Sequence, residues 1–426
     1  MQNILHNKLL DNKKILFLLR AYNDIDHIAP IIYKMNSLEI NIDIRVLIFN
    51  IENDFYFDYR LQFLNKLNIQ VLHIFDFLNV KYIPRQPYFN LNRKINNLNR
   101  FNIIRIFARL FLLKPLFKLF NRKINGLSID NVILNIGKPE VIVFDQATNS
   151  FYERLCIYSK SNNITTVAVP HGHNTLANEL IWENSMETEV GDSHNQWKFF
   201  YDFVVFENSI ISDRYNKMGL VQEEQIKIIG SSRFSDEWVS VLDSILPVGP
   251  LLPKSSNNIL KIVFMLTKPK YNGHPLEVER TIEYLSKFPN VKIIVKPHTR
   301  GMKFNKKFSS NVNIVDNEFH SPLLIDWADV ILFTMTSVIF DSLKKDKPVL
   351  YMKNTHSNKL LSENYFNSWE VHCRDDLRDF MWNIIKDRSF RTYSQEDRDK
   401  YCKIMIEPNG PDVLNQYANF LLQFYN

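Results

Sequence analysis

Five short stretches hold the side chains best suited to chemistry. In ITTVAVPHGHNT an apolar run ends at Pro170 and His171, Gly172 and His173 follow at once. Imidazole exchanges a proton near neutral pH, so His171 is a candidate general base or phosphate contact, with a satisfied loop histidine as the plain alternative. The pair His171 and His173 also has the form of a metal pair, but no third ligand stands at a diagnostic spacing, so no metal is expected. VKIIVKPHTRG places Lys296, His298 and Arg300 at the end of another apolar run, where an ammonium and a forked guanidinium suit a diphosphate; a solvated basic turn is the plain reading. ADVILFTMTSVIFDSLKKDKP sets Thr336 and Ser337 where a strand gives way to a helix, and free N–H groups and hydroxyls there form an anion site without glycine. Asp341, four residues after Ser337, is placed to orient that hydroxyl or to meet a ribose. Lys268 follows a further apolar run and is a weaker candidate for a second phosphate contact. After the first run comes AYNDIDHIAP, whose Asp26 and His27 are alternative bases, Asp24 or Asp26 being equally suited to cap a helix.

These side chains need rigid elements behind them. Short β-branched runs at 14–19, 43–49, 70–75, 140–144, 165–169, 203–206 and 226–229 alternate with helix-like segments, the pattern of a parallel α/β sheet. The pattern pauses in VLDSILPVGPLLPKSSNN and resumes at 260–266, 291–296, 312–315, 329–333 and 349–352. Two doubly wound, Rossmann-like domains are expected, residues 1–245 and 256–426, with a closing helix over 412–425 packing back. Ligands of such sheets bind beyond the carboxyl ends of the strands, where the polar residues just named fall.

Composition excludes several alternatives. Only 10 of 426 residues are glycine, and no two are spaced by one residue or by five, so neither GxGxxG nor a Walker A loop exists. Three cysteines without a CxxC suggest neither a disulfide framework nor a zinc knuckle, and a reducing compartment fits them. The run Ile15 to Leu19 is too short for a secretory core or a membrane span and reads as a first strand. Nine basic residues and no acid lie between Arg93 and Lys123, interleaved with apolar ones, which reads as one or two amphipathic helices broken near Pro115. Such a surface suits anionic headgroups, or else is a solvated face above an ordinary core stripe.

PHG at 170–172, IGSSRF at 229–234, KPHTR at 296–300 and ADVILFTMTSVIFDSLKKDKP at 328–348 resemble bacterial glycosyltransferases of the GT-B fold, in the branch of capsule polysaccharide transferases and CDP-glycerol glycerophosphotransferases. The resemblance covers roughly residues 165–350. It implies two Rossmann-like domains facing across a cleft, donor nucleotide on the second, acceptor on the first, and an inverting, metal-independent transfer. It implies His171 and His298 at the reacting centre and Thr336 and Ser337 as phosphate-contacting hydroxyls. Pro170 and Thr299 stand where the polyol-phosphate enzymes usually carry Trp and Pro, so a sugar is the expected group. The expected activity is therefore sugar transfer from a nucleotide-activated donor to a glycan or lipid-linked acceptor in cell-surface polysaccharide synthesis. The nucleotide sugar is a co-substrate and no cofactor is required. The enzyme is expected in the cytoplasm at the inner face of the plasma membrane, held by 93–123, and nucleic acid is not an expected partner. The alternatives are a CDP-polyol phosphotransferase of teichoic-acid type, a nucleotide-sugar epimerase and a non-enzymatic polyanion binder.

Overall fold

The computed structural model describes residues 13–38, 40–50, 55, 58–78, 85–96, 106–147, 149–172, 175, 199–250, 252–253, 258–268, 272–298, 304, 306–316, 318–365 and 369–425. His173, Thr299, Arg300, Arg100 and Arg105 lie outside them, as does the middle of the Pro- and Ser-rich stretch. The chain divides into two compact units, one of residues 1–172, 196–235 and 412–426, the other of 173–195 and 236–411.

The first unit is built on seven parallel strands: β1 (Lys13–Leu19), β2 (Ile42–Ile48), β3 (Gln70–His73), β4 (Val141–Asp145), β5 (Thr165–Val169), β6 (Phe203–Phe206) and β7 (Ile226–Ile228). Their order is β3-β2-β1-β4-β5-β6-β7. Ile15–Leu19 and Val141–Phe144 are at most 1% exposed. Continuous burial is what a parallel strand covered on both faces requires, and it explains the unbroken apolar runs in the sequence. The strand order reverses between β1 and β4, so the connections leaving their carboxyl ends pass to opposite faces of the sheet and leave a crevice.

The helix α1 (Tyr22–Ser37) leaves β1 after two residues. Against it pack the short turn Ser232–Phe234 and the closing helix, observed at Val413–Leu422. Ser232 Oγ donates to the His27 carbonyl at 2.6 Å and Tyr417 donates to the Gly230 carbonyl at 3.0 Å. Phe420 and Phe424 meet Phe203 of β6 at 5.6 and 5.3 Å between ring centres. The segment 412–426 thus belongs to the first unit, whereas Asp236–Ile245 belongs to the second.

The basic segment is not broken at Pro115. A π-helical turn over Arg109–Leu113 runs directly into the helix Lys114–Asn125. Lys114 N–H bonds to the Arg109 carbonyl, five residues back. That wider register ends just before Pro115, which stands in the first turn of the following helix, where its missing N–H costs least. Phe120 anchors the helix among Phe75 and Tyr88, with ring centres 4.7 and 4.9 Å away.

The second unit carries β8 (Leu260–Met265), β9 (Val291–Lys296), β10 (Val312–Ile314), β11 (Val330–Phe333) and β12 (Val349–Tyr351), all parallel, in the order β10-β9-β8-β11-β12. Alternate residues Leu260, Ile262 and Phe264 join Val291, Ile293, Val295, Val330 and Leu332 in one core. Here the reversal falls between β8 and β11.

Candidate functional site

At the first unit's reversal point, three strand ends converge on one imidazole. Arg20 follows β1 directly, β4 ends in Asp145, and His171 follows β5 by two residues. His171 Nδ1 bonds to Asp24 Oδ1 and lies 3.4 Å from Asp145 Oδ2. Both carboxylates are fully buried, while the imidazole is 36% exposed and the Arg20 side chain 34%, so the ring and the guanidinium are the parts of the cluster open to solvent.

Each carboxylate is fixed by a second set of bonds. Asp24 stands at the third position of α1, and its Oδ2 accepts the N–H groups of Arg20 at 2.7 Å and Ala21 at 2.6 Å. This is the acidic half of a helix cap, so the backbone itself orients Oδ1 toward the imidazole. Asp145 Oδ2 accepts from Arg20 Nη2 at 2.8 Å and Nε at 3.2 Å, and its Oδ1 accepts the Tyr152 hydroxyl at 2.8 Å. Tyr152 is placed by a helix start in which Asn149 Oδ1 accepts the N–H groups of Phe151 and Tyr152 at 3.1 and 2.9 Å.

The electrostatics follow from this arrangement. Burial disfavours a charged imidazole, but hydrogen bonds from Asp145 and Asp24, and their charges, outweigh it and push His171 up to about 9. Burial raises Asp24, opposed by its bond to His171 and reinforced by the negative charge of Asp145. Burial acts on Asp145 in the same direction, yet its bond to His171 and the Arg20 guanidinium bring it below the usual carboxylate range. The Arg20 guanidinium and the raised His171 imidazole thus offset negative charge on the two buried acids. Nδ1 is committed to the carboxylates, which leaves Nε2 as the ring nitrogen able to exchange a proton.

Asp24, Asp145 and His171 also present ligand atoms within 4.8 Å of one another, a donor set that a divalent ion accepts. Arg20 already occupies Asp145 and two backbone N–H groups occupy Asp24. A cation would have to displace that guanidinium. The residues as they stand fit a proton relay better than a metal centre.

The alternative bases are differently placed. Asp26 pairs with Arg60 and, at 3.3 Å, with Arg233. Burial raises its carboxyl, but Arg233 and Arg60 outweigh that and lower it, which makes it a weak proton acceptor. His27 is 1% exposed, on the buried face of α1.

In the second unit the anion candidates share one sheet edge. Thr267 and Lys268 follow β8, Lys296 ends β9 with His298 two residues on, and Thr334 to Ser337 follow β11, the neighbour of β8. The Thr267 N–H donates to Thr334 Oγ1 at 2.9 Å and ties the two strand ends together. Thr336 Oγ1 accepts the Val338 N–H at 3.3 Å, and Ser337 is the half-buried residue before the helix Val338–Lys344. Asp341 is 5% exposed on that helix. Lys296 Nζ donates to the Asp316 carbonyl, and burial lowers the ammonium to about 8, so an approaching anion would restore its usual basicity.

A small concavity adjoins this edge, lined by Thr267, His274, Thr334, Thr355 and His356 among others. His356 Nδ1 accepts the Asn358 N–H at 3.1 Å. Burial, aided by Lys353, lowers the ring to about 4, so it is neutral and carries its proton on Nε2.

Sequence reasoning passed over Arg20, Asp145 and Tyr152. Arg20 and Asp145 each terminate an apolar run, in KILFLLR and VIVFD, so the rule that pointed to His171 also points to them. Tyr152 carries no such signal.

At the level of sequence, no protein-family model matches the chain and no curated protein is similar to it. Solved structures do share its architecture. A protein described as a UDP-N-acetylglucosamine 2-epimerase from Listeria monocytogenes matches with a TM-score of 0.56 at 10% identity, over 97% of both chains. The wall teichoic acid polymerase TagF matches at 0.54 and 12% identity, over 97% of this chain and 88% of that one. S. aureus MnaA, in a co-structure with UDP, matches at 0.53 and 11% identity, over 97% of each. The fold is that of the GT-B group. The two parallel sheets with their helices agree with the sequence-based expectation of fold class.

Proposed function

We propose that the protein transfers a sugar from a nucleotide-activated donor to an acceptor hydroxyl, with His171 as the base. The observation that carries this reading is the imidazole held between Asp24 and Asp145 at the reversal point of a parallel sheet. A base for an acceptor alcohol needs one nitrogen fixed and the other open to the ligand. It also gains from carboxylates that stabilise the imidazolium it becomes.

In the proposed step Nε2 of the neutral ring takes the acceptor proton as the acceptor oxygen bonds to the anomeric carbon. The bond from that carbon to the donor phosphate breaks, and the nucleotide leaves with the electron pair. Lys268, Lys296, Thr336 and Ser337, with Arg300 and His298, are the groups we assign to the donor phosphates. Lys296 supports this assignment, because a buried ammonium with a lowered pKa gains most from an incoming anion. The acceptor we assign is a glycan, lipid-linked in the cell. Among proteins of this fold, one is described as a nucleotide-sugar epimerase, one is solved with UDP and one is a teichoic acid polymerase, company in which a nucleotide-linked donor is at home.

The test has two parts. UDP, CDP, CMP, GDP and dTDP are screened for thermal stabilisation, with one expected to stand out. The matching nucleotide sugars are then incubated with and without glycan acceptors, using wild type and His171→Gln. Transfer should require an acceptor and fall by about 100-fold or more in the variant, with nucleotide stabilisation retained. Donor conversion without acceptor would instead indicate epimerisation, and transfer of a polyol phosphate would indicate the teichoic-acid type of chemistry. Unimpaired transfer by His171→Gln would refute the assigned base.

A further inference from the structure

The basic segment exposes apolar side chains. None of Arg109–Leu113 is buried. Phe107 is 58% exposed, Leu110 49%, Phe111 67% and Leu112 51%, and Phe107 stacks on Phe111 with ring centres 5.5 Å apart. Large apolar residues scattered singly over a surface need no explanation, but these are contiguous along two helical turns. The core contacts of the helix begin later, at Phe120 and Ile124, both buried. Arg154 holds that later end by donating to the carbonyls of Ile124 and Leu127 at 3.3 and 3.4 Å. One end of the element is therefore fastened to the unit while the other presents its apolar side chains outward.

Charge identifies what covers them. Arg109, Lys114, Lys118, Arg122 and Lys123 are all exposed, and the sequence from 93 to 123 contains no acid. A second copy of the chain would set these cations against one another. A polyanion such as nucleic acid would pair with the cations and leave the leucines in water. An anionic bilayer takes both, phosphates at the cations and acyl chains at Phe107, Leu110, Phe111 and Leu112. Among the described residues no helix is long and apolar enough to cross a membrane, so the arrangement suits lying in the interface.

We infer that the turn and helix from 106 to 119 insert their apolar side chains into the outer few ångströms of an anionic lipid leaflet. The inference uses no residue of the His171 cluster and stands or falls apart from the proposed transfer. It differs from simple electrostatic attraction in assigning the retention to burial of apolar side chains, with the cations selecting anionic lipid.

Co-sedimentation with vesicles of phosphatidylcholine and phosphatidylglycerol in a 3:1 ratio, against phosphatidylcholine alone, tests it. Wild type should pellet with the anionic vesicles and retain most binding in 0.5 M salt. The triple variant Leu110→Ser, Phe111→Ser, Leu112→Ser should bind at least about tenfold more weakly, with its melting temperature unchanged because the three positions are exposed. Lys118→Gln with Arg122→Gln should lose the preference for anionic vesicles. In Phe111→Trp, brominated acyl chains should quench fluorescence beyond the wild-type level. Absence of wild-type binding, full loss of binding in salt with an unaffected triple variant, or a wild-type dimer that the triple variant dissociates would each overturn the inference. Nucleotide stabilisation, measured in parallel, reports separately on the transfer reading.

Discussion

Replacing Asp24 by Asn isolates one of the two carboxylates that raise the proton affinity of His171, the other being Asp145. The Asn carbonyl can still accept the Arg20 and Ala21 N–H groups that now reach Asp24 Oδ2 at 2.7 and 2.6 Å, so the start of α1 survives. Its NH2 then points at His171 Nδ1, which must become an acceptor and move the ring proton to Nε2. A rise from 6.5 to about 9 corresponds to ~3 kcal/mol of preference for the imidazolium. A ring 36% exposed keeps only part of that after solvent screening, ~1–2 kcal/mol. The folded-state value is raised, so this stability is fully present below pH 6.5 and is lost as pH climbs through about 9. Urea unfolding of wild type should thus show a loss of ~1–2 kcal/mol between pH 6.5 and 9.5 from this group. Asp24→Asn should flatten that loss. In NMR titrations the His171 ring, assigned by its absence in His171→Gln, should move its midpoint down by about one pH unit or more in the Asn variant. Transfer should rise with pH toward 9 in wild type, as Nε2 loses its proton, and fall by about 100-fold or more in the variant, whose Nε2 holds one. A wild-type midpoint near 6.5, or one that Asp24→Asn leaves in place, would refute the reasoning.

Two further outcomes are expected. Arg60→Ala removes a buried guanidinium between Asp26 and Asp58 and leaves both carboxylates without it, so denaturant unfolding should register a loss of about 3–5 kcal/mol. Gly172 does not occupy the left-handed region, and among the described residues a Cβ there would meet only Asn23 Nδ2 at an ordinary 3.7 Å. Gly172→Ala should therefore unfold within about 0.5 kcal/mol of wild type, while turnover drops if the ligand passes close to that backbone.

Strands were the most legible part of the sequence, because a strand buried on both faces must be an unbroken apolar run of limited length. Val291–Lys296 and Thr165–Val169 coincide with their runs, and Gln70–His73 stops short because Ile74 begins a 3-10 turn. The segment around Pro115 was less legible, since proline in the first turn of a helix and proline after its end look alike in sequence. Nor does an apolar residue announce whether its helix face meets a core, and Phe111 and Phe120, nine residues apart, have opposite fates. At the site, His171 stood out because histidine is uncommon and sits beside glycine. Asp24 resembled any helix-capping acid, which it also is. Its second role depends on Asp145 and Arg20 being brought beside it by strand order, and strand order is a long-range property that no local pattern carries.

The first unit is completed by residues translated after the second. Tyr417, Phe420 and Tyr425, which close on Gly230, Phe203 and the Lys14 carbonyl, emerge from the ribosome only once residues 236–411 have been made. At 5–20 residues per second that interval is roughly 10–35 seconds. Throughout it, the surface of α1 and β6 that the closing helix covers faces solvent or a chaperone, while the second unit, contiguous apart from 173–195, has the sequence it needs to fold. The unit encoded later can thus reach its native state first, and expression at lower temperature or with holding chaperones should favour soluble yield through the first unit.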